Sequence, residues 1–463
     1  MEHADVIVRK SVRWLDERLR ITGFSKSTLR RIFPDHWSFL LGEIALYLFL
    51  ILIGTGIFLS FFYSPSAREV IYSGSYEPLQ GVHMSQAYES LLDISFEVRS
   101  GLVMRQIHHW AALLFMAVLV VHMLRVFFTG AFRKPRELNW VIGLTLLTLG
   151  LLAGFSGYSL PDDLLSGTGL RIGYSVALSI PVIGTWLAFL VFGGEFPFGN
   201  ILGRLYVIHI LLIPGAIGLL LGLHLAMVWR QKHTQFPGPL RTEQKIVGTR
   251  MWPTYAVKAG ALFFLTAATV TLLAGVFQIN PVWIYGPFDP ARVSAGAQPD
   301  WYLGWLEGAL RLMPPWEVRA LGYTIPNPFF PGLLIPGLTF NILYLWPWIE
   351  AKVTKDKQPH NLLNRPRDVP VRTALGVAGV AFYTVLFVAG GNDVIAGLFQ
   401  LPLELVTRGL QIMLFALPLV SGIVTYRICK ELKGRAPKSG HEHGHIIVRT
   451  PDGAYETVEP DQA

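Results

Sequence analysis

The stretch MRQIHHWAALLFMAVLVVHMLRVFF, residues 104–128, decides the fold, because it is apolar, long enough to cross a membrane and carries a histidine towards each end. His108 and His122 are 14 residues apart in it. An α-helix rises about 1.5 Å and turns about 100° per residue, so this gap moves the ring roughly 21 Å along the axis and only about 40° around it. The helix therefore presents two histidines on one side at two depths.

A second apolar run repeats this arrangement. His209 and His224 are 15 residues apart, which corresponds to roughly 22 Å and about 60° in the opposite sense. Two such helices side by side would hold two iron porphyrins, one above the other, because neutral imidazole is a good axial ligand of haem iron. The alternative is that each histidine is a hydrogen-bonded residue of a helix bundle. Histidine inside a membrane span is costly, so four at paired depths favour the haem interpretation.

Composition places these helices in a polytopic membrane protein. The 463 residues are 52% hydrophobic and 15% charged, whereas soluble proteins contain about 25% charged residues. The single cysteine, Cys429, excludes an internal disulfide. We expect an all-α integral membrane protein whose first four spans form a haem-binding four-helix bundle. Eight runs are long enough to span: 38–62, 104–128, 138–158, 205–229, 254–277, 329–349, 371–390 and 402–428.

The basic residues fall mainly on one side of these spans. Of the 39 Lys and Arg residues, 30 lie in the N-terminal segment, in the connections after the even-numbered spans and in the C-terminal tail. This is the positive-inside pattern, with both termini cytoplasmic. The net charge of +8 therefore reflects topology and not nucleic-acid binding. The same topology puts His108 and His209 at an outer level and His122 and His224 at an inner level.

One further apolar run, 173–192, contains Pro181 and Gly184. If it crossed the membrane, the basic 230–258 loop would lie outside, so we expect short helices on the outer surface there. A similar surface helix is expected between spans five and six.

The remaining segments complete the domain organisation. Residues 5–20 have apolar side chains at helical spacing among basic ones, which indicates an amphipathic helix on the inner surface. The HEHGH run at 441–445 is either solvated or metal-binding. The expected parts are a cytoplasmic amphipathic extension (1–34), a di-haem four-helix bundle (35–235), a C-terminal four-helix part (236–432) and a flexible cytoplasmic tail (433–463).

Arginines and glycines accompany the four histidines. Arg105, Arg125 and Arg204 each lie within five residues of a histidine of the two pairs. A guanidinium suits a carboxylate in a bidentate pair, so these arginines are candidate partners of haem propionates, with interface anchoring as the alternative. His109 points about 100° away from His108 and is interpreted as structural.

The first and third spans carry glycines at the histidine period. Gly42 and Gly56 are 14 residues apart, and so are Gly143 and Gly157. A flat porphyrin between helices needs neighbours without side chains where it approaches the backbone. Tight helix packing is the alternative explanation.

Two loops on the predicted outer side carry possible proton-transfer groups. The loop between spans five and six contains Gln298-Pro299-Asp300-Trp301-Tyr302, and the loop after span three begins with Gly157-Tyr158-Ser159-Leu160-Pro161. A carboxylate beside a tyrosine in an aromatic pocket could accept a proton from a hydroquinone as its electrons leave.

With these motifs, nearly the whole chain resembles cytochrome b, the core subunit of bc-type quinol–cytochrome c reductases (respiratory complex III). The resemblance rests on RxxH (105–108), HxxR (122–125), the four glycines, GYxLP (157–161) and the proline–acid–Trp–Tyr loop (299–302). The second histidine spacing of 15 resembles the photosynthetic and Gram-positive branches. Aspartate in place of the usual glutamate, together with the basic N-terminal extension, resembles actinobacterial members with both halves fused on one chain.

The resemblance implies a Q-cycle in a bacterial plasma membrane. Quinol, with menaquinol favoured by the actinobacterial likeness, would be oxidised near the outer face at Asp300, Tyr302 and Tyr158. One electron would go to a Rieske iron–sulfur subunit and a cytochrome c subunit, and the other through two non-covalent haem b groups to a quinone near the inner face. The family is a homodimer by analogy, and a supercomplex with a terminal cytochrome c oxidase stays open. No cysteine stands at the inner end of span one, so a third, covalent haem is not expected.

The inner quinone site departs most from the family pattern. An aspartate that the family often places at the start of span five corresponds to Ala259, beside Lys258. Glu43 at the inner end of span one and His233, nine residues after His224, are the other candidates. Two alternatives to the whole interpretation stay open: a di-haem b-type anchor of another quinone-linked dehydrogenase, and a transporter whose histidines line a proton path.

Overall fold

The computed structural model describes residues 2–19, 28–196, 199–292, 298–320, 322–434, 446–449 and 455–458. The prediction of eight spans is confirmed, because eight helices in these ranges are long and apolar enough to cross a membrane. In chain order, spans one to eight are Trp37–Ser60, Gly101–Thr129, Glu137–Tyr158, Ile201–Gln231, Met251–Val276, Phe330–Thr354, Pro370–Ala389 and Leu403–Leu432.

The two halves of the chain share one buried core. Span one packs on span two, span three on span four, and span five on both of the first two. Leu48, Met116 and Leu147 from the first three spans meet Val270 from span five and Tyr302 from an outer loop in a single cluster. The loop that carries the acid–Trp–Tyr motif is therefore fixed against the N-terminal bundle by apolar burial.

Short helices cover one end of the bundle, as predicted for the connections after spans three and five. The helix Leu164–Leu178 begins with a capping box, in which the Asp163 carboxylate accepts from the Ser166 backbone N–H and the Ser166 hydroxyl oxygen accepts from that of Asp163. The run 173–192 does not span, because it is divided between two surface helices. The short α-helices of this surface are Gln86–Phe96, Leu164–Leu178, Gly184–Phe192, Val282–Tyr285, Gly304–Leu312 and Asn392–Phe399.

Strands occur only as two-stranded antiparallel pairs within the described ranges. They are Ile32–Phe33 with Thr249–Arg250, Glu69–Ile71 with His83–Ser85, Val318–Ala320 with Tyr323–Ile325, and Ile446–Arg449 with Tyr455–Val458. The last pair lies in the tail that the polar composition predicted to be flexible. The HEHGH run at 441–445 lies outside the described residues.

The predicted N-terminal amphipathic helix is present as Glu2–Leu19. Its apolar residues Val12, Trp14 and Leu15 are all exposed. They do not pack into the core of this chain, which suits a helix whose apolar face meets a lipid surface.

The connections at the opposite end of the bundle from the short helices are joined by buried arginines. Arg372 at the start of span seven donates to Glu350 Oε1 at 2.6 Å and to Asn364 Oδ1 at 2.7 Å. Its guanidinium also lies against Gly130, where a side chain would collide with it and where φ is +64°. Only glycine suits both the left-handed backbone and the close approach, so Gly130 lets span two end against this ion pair.

Candidate functional site

The structure brings His108 and His209 together at one level of the bundle. Their ring centroids are 6.2 Å apart and the rings are inclined by 71°. Metal–imidazole bonds are about 2 Å long, and with half a ring on each side this separation of roughly 6 Å leaves room for one metal atom between the two rings. The spacing of the outer pair therefore fits two histidines that would hold one metal atom between them.

Hydrogen bonds set the tautomer of both outer histidines. His209 Nδ1 lies 3.0 Å from the Ala153 carbonyl oxygen, which can only accept, so Nδ1 carries the proton. The Thr55 hydroxyl donates to the Ile51 carbonyl at 2.7 Å, so its oxygen accepts from His108 Nδ1 at 2.9 Å. Each ring is left with an Nε2 lone pair, which is the form that ligates a metal.

Two of the predicted glycines face the outer histidines. A Cβ atom on Gly56 would lie 3.3 Å from His108 Cε1, and one on Gly157 would collide with the ring of His209. We expected these glycines to receive a porphyrin face, and the structure shows that they receive the imidazole edges. Their shared period with the histidines follows from this direct contact.

The other two glycines face the inner histidines in the same way. A Cβ atom on Gly42 would lie 3.4 Å from His122 Cε1, and one on Gly143 would lie 3.6 Å from His224 Cε1. The Nδ1 atoms of both histidines are buried, and neither has a hydrogen-bond partner among the described residues. His122 and His224 are close enough to interact electrostatically. The inner level thus repeats the outer one, with one histidine and one glycine from each side.

A π-helical turn, Ile208–Leu212, explains why the second histidine spacing is 15 and not 14. His209 lies inside this turn, and regular α-helix resumes at Ile213. A π turn takes up one more residue than an α turn. The gap of 15 therefore brings His224 to nearly the position that a gap of 14 would give in an uninterrupted α-helix.

Two of the three predicted arginines have buried donor atoms that are unused among the described residues. Arg105 is 8% exposed, and its Nε and Nη2 atoms have no partner among the described residues, while Nη1 donates to the Asn280 carbonyl at 3.1 Å. Arg125 Nη2 is likewise buried without a described partner. Unsatisfied buried donors are costly, so each arginine fits an anionic group beside the histidine pair.

Arg204 is placed differently from the other two. It is exposed, and its Nη1 atom donates to the Leu190 carbonyl at 2.8 Å. Its closeness in sequence to His209 suggested a role beside the outer pair, but the side chain turns to a surface helix instead.

Asp300 and Tyr302 are brought together near the outer pair, as predicted. The Tyr302 hydroxyl donates to Asp300 Oδ2 at 3.0 Å. Tyr302 is buried, and its ring lies against Gly154 of span three, where a Cβ atom would be 2.5 Å from the phenol oxygen. Burial first, and then Asp300, raise the pKa of Tyr302 well above its usual range. The phenol therefore keeps its proton and can act as a hydrogen-bond donor.

His109, interpreted from the sequence as structural, belongs to this cluster. Its Nε2 atom lies 2.9 Å from Asp300 Oδ1, and the two side chains are 17% and 15% exposed. Helix geometry turns it away from the level of His108 and His209 and towards Asp300. Its partner, Asp300, lies in a loop 191 positions further along the chain, and no pattern in the sequence indicates that contact.

Further carboxyl groups surround Tyr158. Tyr158 is buried and interacts electrostatically with Asp163, Asp300 and Glu307. Burial raises the pKa of Asp163 to about 6 and also raises that of Glu307, opposed by Arg311. The sequence interpretation identified Asp300 and Tyr158 but missed Asp163 and Glu307, whose burial only the fold reveals.

Of the candidates for the inner quinone site, Glu43 and His233 lie in one cluster and Lys258 lies apart from it. Tyr255 and Tyr47 both donate to the Glu43 carboxylate, the latter at 3.3 Å. Phe33 links this group to His233. Its ring centroid lies 4.3 Å from that of Tyr255, on which it stacks, and 4.5 Å from that of His233.

His233 is held in its neutral form, and Lys258 stands apart. Burial, followed by the charges of Arg31 and Arg136, lowers the pKa of His233 to about 4. Lys258 forms an ion pair with Asp35 at 2.6 Å, with both side chains about half exposed.

The eight-span helical fold and the site at the paired histidines define a class of membrane protein, and comparisons with known proteins agree with that class. A family model described as cytochrome b(N-terminal)/b6/petB matches residues 113–287. A solved structure titled hyperthermophilic respiratory Complex III matches with a TM-score of 0.66 at 22% identity, over 90% of this chain and all of that one. The class is therefore that of the cytochrome b fold.

Relatives from several actinobacteria narrow the class to a family. Cytochrome bc1 complex cytochrome b subunits are 51% identical in Corynebacterium efficiens, 52% in Streptomyces coelicolor and 53% in Mycobacterium tuberculosis H37Rv. These alignments cover 95%, 96% and 95% of this chain and 82%, 83% and 81% of the relatives. The chain belongs to the family of cytochrome b subunits of bc1 complexes, and the resemblance inferred from its motifs is confirmed.

Proposed function

We propose that this chain is the cytochrome b subunit of a menaquinol–cytochrome c oxidoreductase and carries two non-covalent haem b groups. The observation that supports the proposal most directly is the two-level arrangement of four histidines, with the outer rings 6.2 Å apart. A di-haem dehydrogenase anchor would share this histidine arrangement but would not need the acid–Trp–Tyr loop, and a transporter would need neither.

His108 and His209 would hold the outer haem, and His122 and His224 the inner haem. A haem b bound at each level supplies a one-electron carrier. The chain's own residues orient its ligands: Thr55 and the Ala153 carbonyl hold the Nδ1 protons of the outer pair. Gly42, Gly56, Gly143 and Gly157 give the rings the room to lie against the neighbouring spans.

Arg105 and Arg125 would receive the propionates. Arg105 Nε and Nη2 and Arg125 Nη2 lack hydrogen-bond partners among the described residues, and the two arginines lie one turn from His108 and His122 respectively. Arg204 contributes to the surface beside the outer level, through its bond to Leu190.

Quinol oxidation would take place beside Asp300, Tyr302 and Tyr158. As the electrons leave, the Asp300 carboxylate accepts a proton from a quinol hydroxyl. Tyr302 stabilises the charged carboxylate by donating to it at 3.0 Å. His109, at 2.9 Å and partly exposed, orients Asp300 and gives the proton a path towards the aqueous surface.

Quinone reduction would take place at the inner level near Glu43. Tyr255 and Tyr47 hold the Glu43 carboxyl in place, and the neutral His233 closes the aromatic wall through Phe33. Lys258, paired with Asp35, would act only as a positive charge at the rim.

The arrangement of Lys and Arg supports a plasma-membrane protein with both termini cytoplasmic, in which parts 1–34 and 433–463 flank the bundle (35–235) and the C-terminal helices (236–432). Electrons leaving the outer site would pass to a Rieske iron–sulfur subunit and a cytochrome c subunit. The complex would be a homodimer in a lipid membrane, open to assembly with a terminal cytochrome c oxidase. Family membership supports these partners, and the actinobacterial relatives support menaquinone.

The experiment that tests the proposal is a haem count with a turnover assay on the purified complex. Two b haems per chain and menaquinol-dependent reduction of cytochrome c are expected. A protein without haem absorbance would support the transporter instead, and one b haem per chain would contradict the two-level site.

A further inference from the structure

A groove of about 500 Å³ lies between the ends of spans seven and eight. Its walls are apolar further from the helix end, at Leu375 and Ile423, and polar towards the end of span eight, at Tyr426, Arg427 and Lys430. Its size is within the range of roughly 300–1,000 Å³ that small-molecule sites occupy.

Small residues form the floor of the groove. A Cβ atom on Gly422 would lie 3.4 Å from the Ala378 Cβ and 3.6 Å from the Ala374 carbonyl oxygen. The two helices therefore approach closely here, and the larger side chains of Leu375 and Ile423 stand out on either side, both exposed. The result is a slot with aliphatic walls that this chain does not fill.

The polar end of the groove is cationic. Arg427 and Lys430 are exposed, and neither lies in an ion pair with any described residue. The groove has no carboxylate among its lining residues. A phenol hydroxyl, at Tyr426, lies at the same level.

The lining of the groove changes from apolar to cationic along the helix, in the same order as the acyl chain and the head group of an anionic phospholipid. Gly422 and Lys430 are eight residues apart, which corresponds to about 12 Å along the axis. Over this distance the lining passes from aliphatic side chains to an aromatic hydroxyl and then to two cations. Basic pockets between helices at the cytoplasmic side bind anionic head groups, and tyrosine and lysine occupy the head-group level of membranes.

We propose that this groove is a binding site for one anionic phospholipid, with an acyl chain between Leu375 and Ile423 and its phosphate at Arg427 and Lys430. The assignment to the cytoplasmic leaflet rests on the orientation given under Proposed function. The specificity for an anionic lipid follows from two cations that form no ion pair with a carboxylate among the described residues. The lipid would also bridge spans seven and eight on their outward side.

The test uses the intact purified complex, washed in detergent and then titrated with phosphatidylglycerol or with phosphatidylcholine of the same acyl chains. Native mass spectrometry counts the lipids retained per chain. We expect the double variant Arg427→Gln/Lys430→Gln to bind phosphatidylglycerol at least about tenfold more weakly than wild type, with retention of phosphatidylcholine unchanged.

Two further variants separate the site from general charge and from folding. Lys352→Gln/Lys355→Gln removes two exposed cations from the end of span six and should leave phosphatidylglycerol retention at the wild-type value. Leu375→Trp fills the groove without changing its charge and should also displace the lipid, while the haem spectrum shows that each variant is folded.

Three outcomes would overturn the proposal. The first is equal retention of phosphatidylglycerol by wild type and the Arg427→Gln/Lys430→Gln variant. The second is equal affinity of the wild-type groove for phosphatidylcholine. The third is stoichiometric crosslinking of a protein segment to a cysteine placed at position 375, which would identify a protein and not a lipid as the occupant.

Discussion

His109 Nε2 lies 2.9 Å from Asp300 Oδ1. Two consecutive residues of span two therefore face different groups: His108 faces His209, and His109 faces the Asp300 carboxylate of the outer loop. His108 and His109 point about 100° apart on the helix. Span two therefore connects the level of His108, which would accept electrons, with Asp300, which would accept the proton. Under the proposed function, a ligand of the outer haem and the partner of the proton acceptor would therefore be neighbouring residues of one helix.

Replacing the outer carboxylate is expected to slow turnover without loss of haem. In Asp300→Asn the proton acceptor is lost but the shape is kept, and menaquinol–cytochrome c turnover should fall by about 10²-fold, the lower end of typical general-base contributions. His109→Gln keeps a polar side chain and should lower turnover about tenfold. Assays of menaquinol–cytochrome c turnover on the purified complex, with haem measured in the same samples, check both values.

Glu404→Gln is the matched control for this pair. It removes a carboxylate of an exposed ion pair at the start of span eight and should leave turnover unchanged. Turnover of Asp300→Asn equal to wild type across pH would contradict the proton-acceptor role. Loss of the outer haem in His109→Gln would show that His109 acts through His108 and not through Asp300.

A methyl group at Gly157 should disturb the outer haem. The added Cβ would collide with the His209 ring, whereas a Cβ on Gly54 meets nothing within 4 Å. Gly157→Ala is expected to lose the outer haem or shift its potential. Gly54→Ala should keep both haems and change stability by no more than about 1 kcal/mol in favour of the helix. Redox difference spectra of the two variants check this, and identical spectra would contradict the close contact.

The π turn should tolerate removal of one residue. Deleting Leu211, inside Ile208–Leu212, turns π-helix into α-helix and leaves His209 and His224 on one face with a spacing of 14. Deleting Val118 in the uninterrupted α-helix of span two instead turns His122 by about 100° relative to His108. We expect two haems in the first deletion and the loss of at least one in the second, measured per folded chain. Equal haem loss in both deletions would show that the π turn has no such role.

The buried Asp163 should make the protein less stable as pH rises. Its folded-state pKa is about 6, raised from 3.8 by burial, so the folded state holds the proton more tightly than the unfolded state. The stabilisation is present at low pH and is lost as pH rises through 6. Asp163→Asn keeps an oxygen acceptor for the helix cap and removes the titration.

The measurement for Asp163 is the melting temperature between pH 5 and 7.5. The Asp163→Asn variant should melt above wild type at pH 7.5, and the difference should shrink towards pH 5. Glu404→Gln, in its exposed ion pair with Arg408, is measured beside it for comparison. A difference that is constant with pH would show that Asp163 stays in one protonation state.

Much of the fold and the site could be predicted because it follows from helix period. The 14-residue recurrences of histidine and glycine, together with the charge asymmetry, set the spans and the two levels. The extra residue between His209 and His224 was visible in the sequence, but the π turn that takes it up was not, because a bulge can form at several places in an apolar helix.

What could not be predicted depends on contacts between distant parts of the chain. His109 meets Asp300 only because the loop after span five folds back over span two. Arg204 turns to the Leu190 carbonyl, although its sequence position suggested the outer pair. Asp163 and Glu307 gain their raised pKa values from burial, which composition alone does not reveal.

The most direct test of the two-level account is a redox titration of the b haems in His224→Leu and His209→Leu. Each variant should retain one b haem, with different midpoint potentials, and menaquinol should still reduce the outer haem of His224→Leu. Loss of both haems together from either folded variant, or retention of both, would contradict the pairing of His108 with His209 and of His122 with His224.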